Sequence, residues 1–87
     1  MAPVTLYSTQ VCPYCVRAKA LLDGKHVAYT EIRVDREPGK MAEMMQKSGR
    51  RTVPQIFIGG EAIGGYDDLA SLDRLGRLTA MLTDSTV

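Results

Sequence analysis

Two cysteines, Cys12 and Cys15, are the only ones in the chain, and Pro13 and Tyr14 fill the space between them. They follow the short apolar run Val4-Thr5-Leu6-Tyr7 and precede a segment of helical spacing. Two thiols this close can open and close a disulfide with little backbone movement, so the spacing points to redox chemistry. The reactive species is the thiolate, and a free thiol with a pKa near ~8.5 is only about 3% ionised at pH 7. Cys12 falls where the first helix should begin. Pro13 suits the first helical position, where its missing N–H would have no partner. The unpaired N–H groups of a first turn carry roughly half a positive charge, which favours an anionic sulfur at Cys12. The expected pKa of Cys12 is therefore ~4–6, within the range of such sites. Arg17 and Lys19 add cationic charge nearby in sequence.

Ionisation alone does not make such a site fast. A pKa near ~5 raises the thiolate fraction ~30-fold, while a Brønsted slope of ~0.4–0.5 cuts intrinsic nucleophilicity ~25–55-fold. The two effects nearly cancel for attack. The gain lies in departure, because a low-pKa thiolate leaves readily from a mixed disulfide. That suits a Cys12 that is attacked and released in every cycle. Cys15, one helical turn on, shares its face and should be more buried and less ionised, as a resolving thiol requires. The competing structural readings are weaker. A stapling disulfide across so short a loop removes little chain entropy, and a zinc site needs about four ligands, more than one cysteine pair and the single His26 supply in a monomer. No metal site is expected.

The chain has 87 residues, 45% hydrophobic and 24% charged, which bounds it to one globular domain spanning 1–87. A net charge of +1 gives no field that would recruit nucleic acid or a membrane. No stretch approaches transmembrane length, and the N-terminus lacks the charged and apolar regions of a signal peptide. A cytoplasmic location, where dithiols stay mostly reduced, is expected.

The elements that must position the thiols follow in order. Val4–Tyr7 reads as a central strand, and residues 13–23 as a helix with Tyr14, Ala18, Leu21 and Leu22 on one side, stopped by Gly24. His26 should be a solvated turn residue. Val27 to Val34 reads as a second strand, parallel to the first by the βαβ rule. The next helix should start within Asp35-Arg36-Glu37-Pro38, with Pro38 in its first turn and Met41, Met44, Met45 and Ser48 on one face as core filling, ending at Gly49. Gln55–Ile58 is a third strand, Gly59-Gly60 a hairpin turn, and Glu61-Ala62-Ile63 a fourth strand broken by Gly64-Gly65. A last helical region opens at Tyr66-Asp67-Asp68, with Leu69, Leu72 and Leu75 at helical spacing. Gly76 should kink or split it before Leu78, Met81 and Leu82, and Asp84 to Val87 should fray. The order β-α-β-α-β-β-α gives an α/β class: a four-stranded mixed sheet flanked by helices on both faces, which is the thioredoxin-fold arrangement.

Three segments carry a resemblance: Cys12-Pro13-Tyr14-Cys15, Thr52-Val53-Pro54, and Gly64-Gly65-Tyr66-Asp67-Asp68-Leu69. In order and separation they are similar to the signatures of the dithiol glutaredoxins. The short length and Val53-Pro54-Gln55-Ile56-Phe57-Ile58 look most like the small bacterial members of the glutaredoxin 3 type. The resemblance implies a thiol–disulfide oxidoreductase reduced by glutathione, with Cys12 and Cys15 catalytic. It implies a cis peptide before Pro54, which would turn the Val53 backbone toward the active site to pair with an extended peptide. It also implies a glutathione groove. Tyr14 would form a wall beside the sulfur, Thr52, Val53, Pro54 and Gly65 would be among the glutathione-binding residues, and Asp67 would be a partner for the γ-glutamyl ammonium. Asp68 would complete that pocket, and Arg51 would attract the glycyl carboxylate. Helix capping is the structural alternative for both aspartates, and a solvated charge or simple packing for Arg51 and Tyr14.

The partners implied are glutathione and disulfide-containing or glutathionylated proteins, acting on a monomer. One departure stands out: many glutaredoxins have Lys three residues before the first active-site Cys, and here that position is Thr9. Arg51 and Lys19 are the candidates to supply the missing cation. Two rival readings follow from the same resemblance. One is a glutaredoxin-like electron donor reduced by thioredoxin reductase. The other is a dimeric iron–sulfur scaffold, whose members usually lack Pro at the position of Pro13.

Overall fold

The computed structural model describes residues 2–83, so the expectation for Asp84 to Val87 lies outside the described residues. The elements are β1 (Val4–Ser8), α1 (Pro13–Gly24), β2 (Thr30–Arg33), α2 (Lys40–Ser48), β3 (Gln55–Ile58), β4 (Glu61–Gly64), α3 (Tyr66–Arg74) and α4 (Arg77–Thr83). The strands form one sheet in the order β2-β1-β3-β4. β1 runs parallel to β2 and antiparallel to β3, and β3 pairs antiparallel with β4. This is the four-stranded mixed sheet expected of a thioredoxin fold.

Strand alternation splits the core into two layers. Val4 and Leu6 of β1 and Ile56 and Ile58 of β3 face one side, where they meet Ala18 and Leu22 of α1, Leu69 of α3, and Leu78 and Leu82 of α4. Tyr7 and Phe57 face the other side and meet Met44 of α2. Their rings pack edge to face, with centroids 5.5 Å apart. The sheet is therefore covered on both faces, and the end of β1 delivers the chain to the start of α1. Beneath that junction the Tyr7 hydroxyl donates to the Glu43 carboxylate at 2.6 Å, and the buried Ser8 hydroxyl donates to Glu31 at 2.6 Å.

Several expectations change in detail. The second strand is only Thr30–Arg33, because Val27 is buried from the turn after α1, where its N–H bonds the Leu22 carbonyl. α2 starts at Lys40, not at Pro38: Gly39 adopts φ +81°, a left-handed turn that cannot continue a helix, so Pro38 precedes it. Met44 alone of the helix methionines is core; Met41 and Met45 are exposed. Leu75 is also exposed, because α3 ends at Arg74 and Gly76 turns the chain at φ +72° before α4. β4 runs one residue past Ile63, to Gly64, which pairs opposite Ile56. His26 is an exposed turn residue.

Candidate active site

Cys12 is the N-cap of α1, with extended backbone (φ −152°, ψ 97°) and Pro13 at the first helical position. Its carbonyl accepts the first intrahelical bond, from Val16 N–H, and its sulfur takes the place of the usual capping oxygen. The Cys15 N–H donates to Cys12 Sγ at 3.1 Å. The sulfur thus sits where the helix leaves donors unpaired. The two cysteines are joined as a disulfide, with their Cα atoms 5.1 Å apart. Cys15 is 1% exposed and Cys12 9%, so the second thiol is the deeper one. Cys15, Ala18 and Leu22 form the buried stripe of α1.

Tyr14 lies off that stripe. It is 52% exposed, with the Tyr66 ring 6.3 Å away and the Arg17 guanidinium 5.2 Å above its centre. It is a surface wall, not part of the core face that helical spacing suggested.

The loop before β3 approaches the sulfur from the other side. The Val53–Pro54 peptide is cis, and Cys12 Sγ lies 3.8 Å from the Val53 carbonyl oxygen. Gln55, fully buried, donates to the Thr52 carbonyl at 2.9 Å and holds this loop to β3. A groove of about 200 Å³ runs from here to the start of α3. Seven of the expected site residues line it: Tyr14, Thr52, Val53, Pro54, Gly65, Asp67 and Asp68.

Two further residues line the groove that sequence reasoning did not single out, Arg50 and Tyr66. Arg51, the expected cation, is exposed and is not among the lining residues. Residues 50–54 bend instead of alternating as a strand would, so neighbouring positions cannot be assigned to sides by period. The signal available was the double arginine itself, and for Tyr66 its place at the first turn of a helix after two glycines.

The two aspartates divide their work. The Asp68 carboxylate accepts the Gly65 N–H at 2.9 Å, capping α3, and also accepts from Arg50 Nη1 at 3.0 Å. Asp67 makes no side-chain hydrogen bond or ion pair among the described residues, and it is exposed. The Lys19 ammonium, one candidate for the cation missing at Thr9, lies 3.0 Å from Glu31. Hydrogen bonds from Ser8, then burial against them and Lys19 with them, leave Glu31 below the ordinary carboxylate range. Among the described residues no three His, Cys, Asp or Glu side chains cluster as for a metal ion.

A sulfur pair at the mouth of a helix, under a bent loop that presents a carbonyl and beside a polar groove, defines a thiol–disulfide oxidoreductase of the thioredoxin fold. The Glutaredoxin family model matches residues 4–63. The chain is 51% identical over 83 residues to a glutaredoxin of Pseudomonas aeruginosa, covering 95% of this chain and 99% of the relative. It is 51% identical over 82 residues to glutaredoxin 3 of Escherichia coli K12, covering 94% and 99%. Among solved structures it is similar to a buckwheat glutaredoxin–glutathione complex, with a TM-score of 0.88 and 41% identity over 95% of this chain and 78% of that one. It is also similar to a Brucella melitensis glutaredoxin, with a TM-score of 0.86 and 45% identity over 100% and 95%. The chain belongs to the glutaredoxin family.

Proposed function

We propose that this single-domain protein is a monomeric, cytoplasmic glutathione-dependent oxidoreductase that reduces glutathionyl mixed disulfides and protein disulfides through Cys12 and Cys15. The observation that carries the reading is the adjacency of Cys12 Sγ to the Val53 carbonyl at 3.8 Å, at the edge of a groove whose far end holds the uncommitted Asp67. The bound glutathione of the buckwheat relative supports it.

In the monothiol route the Cys12 thiolate attacks the glutathionyl sulfur of a mixed disulfide, and the protein thiolate leaves. A second glutathione thiolate then attacks that glutathionyl sulfur, releasing glutathione disulfide and the Cys12 thiolate. In the dithiol route Cys12 attacks a protein disulfide. Cys15, losing its proton, displaces the remaining substrate thiolate from Cys12, and two glutathiones reduce the resulting Cys12–Cys15 bond. The Val53 backbone pairs with the cysteinyl unit as an added strand would. Tyr14 walls the groove beside the sulfur, with Thr52, Pro54 and Gly65 as its lining. Asp67 takes the γ-glutamyl ammonium, Asp68 and the start of α3 complete that pocket, and Arg51 attracts the glycyl carboxylate.

Coupled assays with glutathione and glutathione reductase, run beside thioredoxin reductase, test this reading. Activity should require glutathione, and Cys12→Ser should abolish it. Cys15→Ser should keep deglutathionylation while losing protein-disulfide reduction. Turnover driven by thioredoxin reductase alone, or equal loss of both activities in Cys15→Ser, would contradict it.

A further inference from the structure

The groove contains a cation that neither the motif positions nor the family position at Arg51 accounts for. Arg50 is placed by its own loop. Gly49 ends α2 in the left-handed region at φ +72°, and the Ser48 hydroxyl, donating to the Met44 carbonyl at 2.7 Å, accepts the Arg50 N–H at 3.0 Å. The side chain then crosses the groove to α3, where Nη1 donates to Asp68 at 3.0 Å. Asp68 is itself fixed by the Gly65 N–H. The crossing passes over Gly64, which is buried at φ +119°; a Cβ there would collide with the Asp68 carboxylate and come 3.1 Å from Arg50 Nη1. The bare glycine leaves the space that the ion pair occupies.

An arginine fork carries five donors, and Asp68 engages one nitrogen. Asp67, the neighbour of Asp68 in sequence and without a side-chain partner among the described residues, lines the same groove of about 200 Å³. A free carboxylate and a cation with spare donors in one groove are the complement of an α-amino acid head group, which carries an ammonium and a carboxylate on one carbon. Glutathione has one such head, on its γ-glutamyl residue.

We propose that Arg50 is a specificity-determining residue that binds the α-carboxylate of the γ-glutamyl unit, with Asp68 as the positioning residue that aims it. The assignment rests on the glutathione reading above. It gives the two arginines different ends of the tripeptide, Arg50 the γ-glutamyl head and Arg51 the glycyl tail. It also puts the recognition of the head on side-chain charge in addition to the helix start.

The test compares kcat/KM for mixed disulfides of cysteamine with four thiols. These are glutathione, its glycinamide analogue, the 4-aminobutyryl analogue that lacks the α-carboxylate, and the glutaryl analogue that lacks the ammonium. Arg50→Gln should lower kcat/KM about five- to tenfold for glutathione, the scale of a charge-assisted contact at a partly exposed site. It should do the same for the glycinamide and glutaryl analogues and have little effect on the 4-aminobutyryl analogue. Equal loss on all four substrates would overturn the proposal by making Arg50 a structural brace. No loss on any would overturn it as well, and loss that vanished only with the glycinamide would move Arg50 to the glycyl end. If the wild-type protein did not prefer glutathione over the 4-aminobutyryl and glutaryl analogues, the glutathione reading itself would fail, whatever Arg50→Gln did.

Discussion

Gly64→Ala is the substitution that most sharply separates fold from site. Gly64 is buried at the end of β4, its φ of +119° is costly for any residue with a Cβ, and the added methyl would meet the Asp68 carboxylate. Backbone strain of this kind costs about 1–3 kcal/mol. As Asp68 yields to the methyl, the part-buried Gly65 N–H also loses its acceptor, at about 1–3 kcal/mol. Together the loss should be about 2–6 kcal/mol, a large share of the ~4–13 kcal/mol that a domain of this size has. For a domain this small each kcal/mol is worth ~4–8 °C, so the midpoint should fall by roughly 8–48 °C. Glutathione kinetics below that midpoint should weaken, because Asp68 and Arg50 are displaced. Gly60→Ala is the internal control. Gly60 sits in the hairpin turn at φ +86° with nothing within 4 Å of its added Cβ, so it should carry strain alone, with unchanged kinetics. A Gly64→Ala protein that melted within ~4 °C of wild type, with unaltered glutathione kinetics, would refute the crossing of Arg50 and Asp68 over this glycine.

Two further outcomes follow from buried and polarised groups. Burial, and then the Glu43 carboxylate that its hydroxyl binds, push the Tyr7 phenol up to about 12. A raised folded-state pKa contributes stability that is complete below the unfolded value, near ~10, and that is lost as pH rises through the folded one. The stability advantage of wild type over Tyr7→Phe should therefore be flat through neutral pH and shrink above pH ~10 in urea unfolding series; a difference constant to the highest measurable pH would contradict it. In the reduced Cys15→Ser protein, thiolate absorbance should titrate well below the ordinary thiol range, because the start of α1 and the residue 15 N–H face the Cys12 sulfur. A free-thiol titration would remove the electrostatic basis of the mechanism.

The strands were legible as short β-branched and aromatic runs bounded by loop and glycine signals. In the structure Val4, Leu6, Ile56 and Ile58 face one layer and Tyr7 and Phe57 the other. Pro13 after Cys12 marked the helix start, and the glycine pairs marked the turns. What was not legible depends on tertiary placement. Helical spacing put Tyr14 with Ala18 and Leu22, yet the buried partner on that stripe is Cys15. Met41 and Met45 share the α2 surface with Met44, but the sheet face beneath α2 takes only Met44 into its buried layer. Val27 is core without being strand, because the turn after α1 already folds it inward. Arg50 could not be chosen over Arg51, because the bend through residues 50–54 has no period from which to read sides.

The central claim is that the sulfur of Cys12 works beside a groove shaped for glutathione. Its most direct test is the rate at which the reduced protein cleaves a peptide carrying a glutathionyl adduct, compared with the same peptide carrying a cysteinyl adduct. The cysteinyl adduct lacks the γ-glutamyl head and the glycyl tail that Asp67, Arg50 and Arg51 would bind, so the glutathionyl peptide should react at least about tenfold faster, the equivalent of ~1.4 kcal/mol of groove binding. Equal rates on the two adducts would contradict the account.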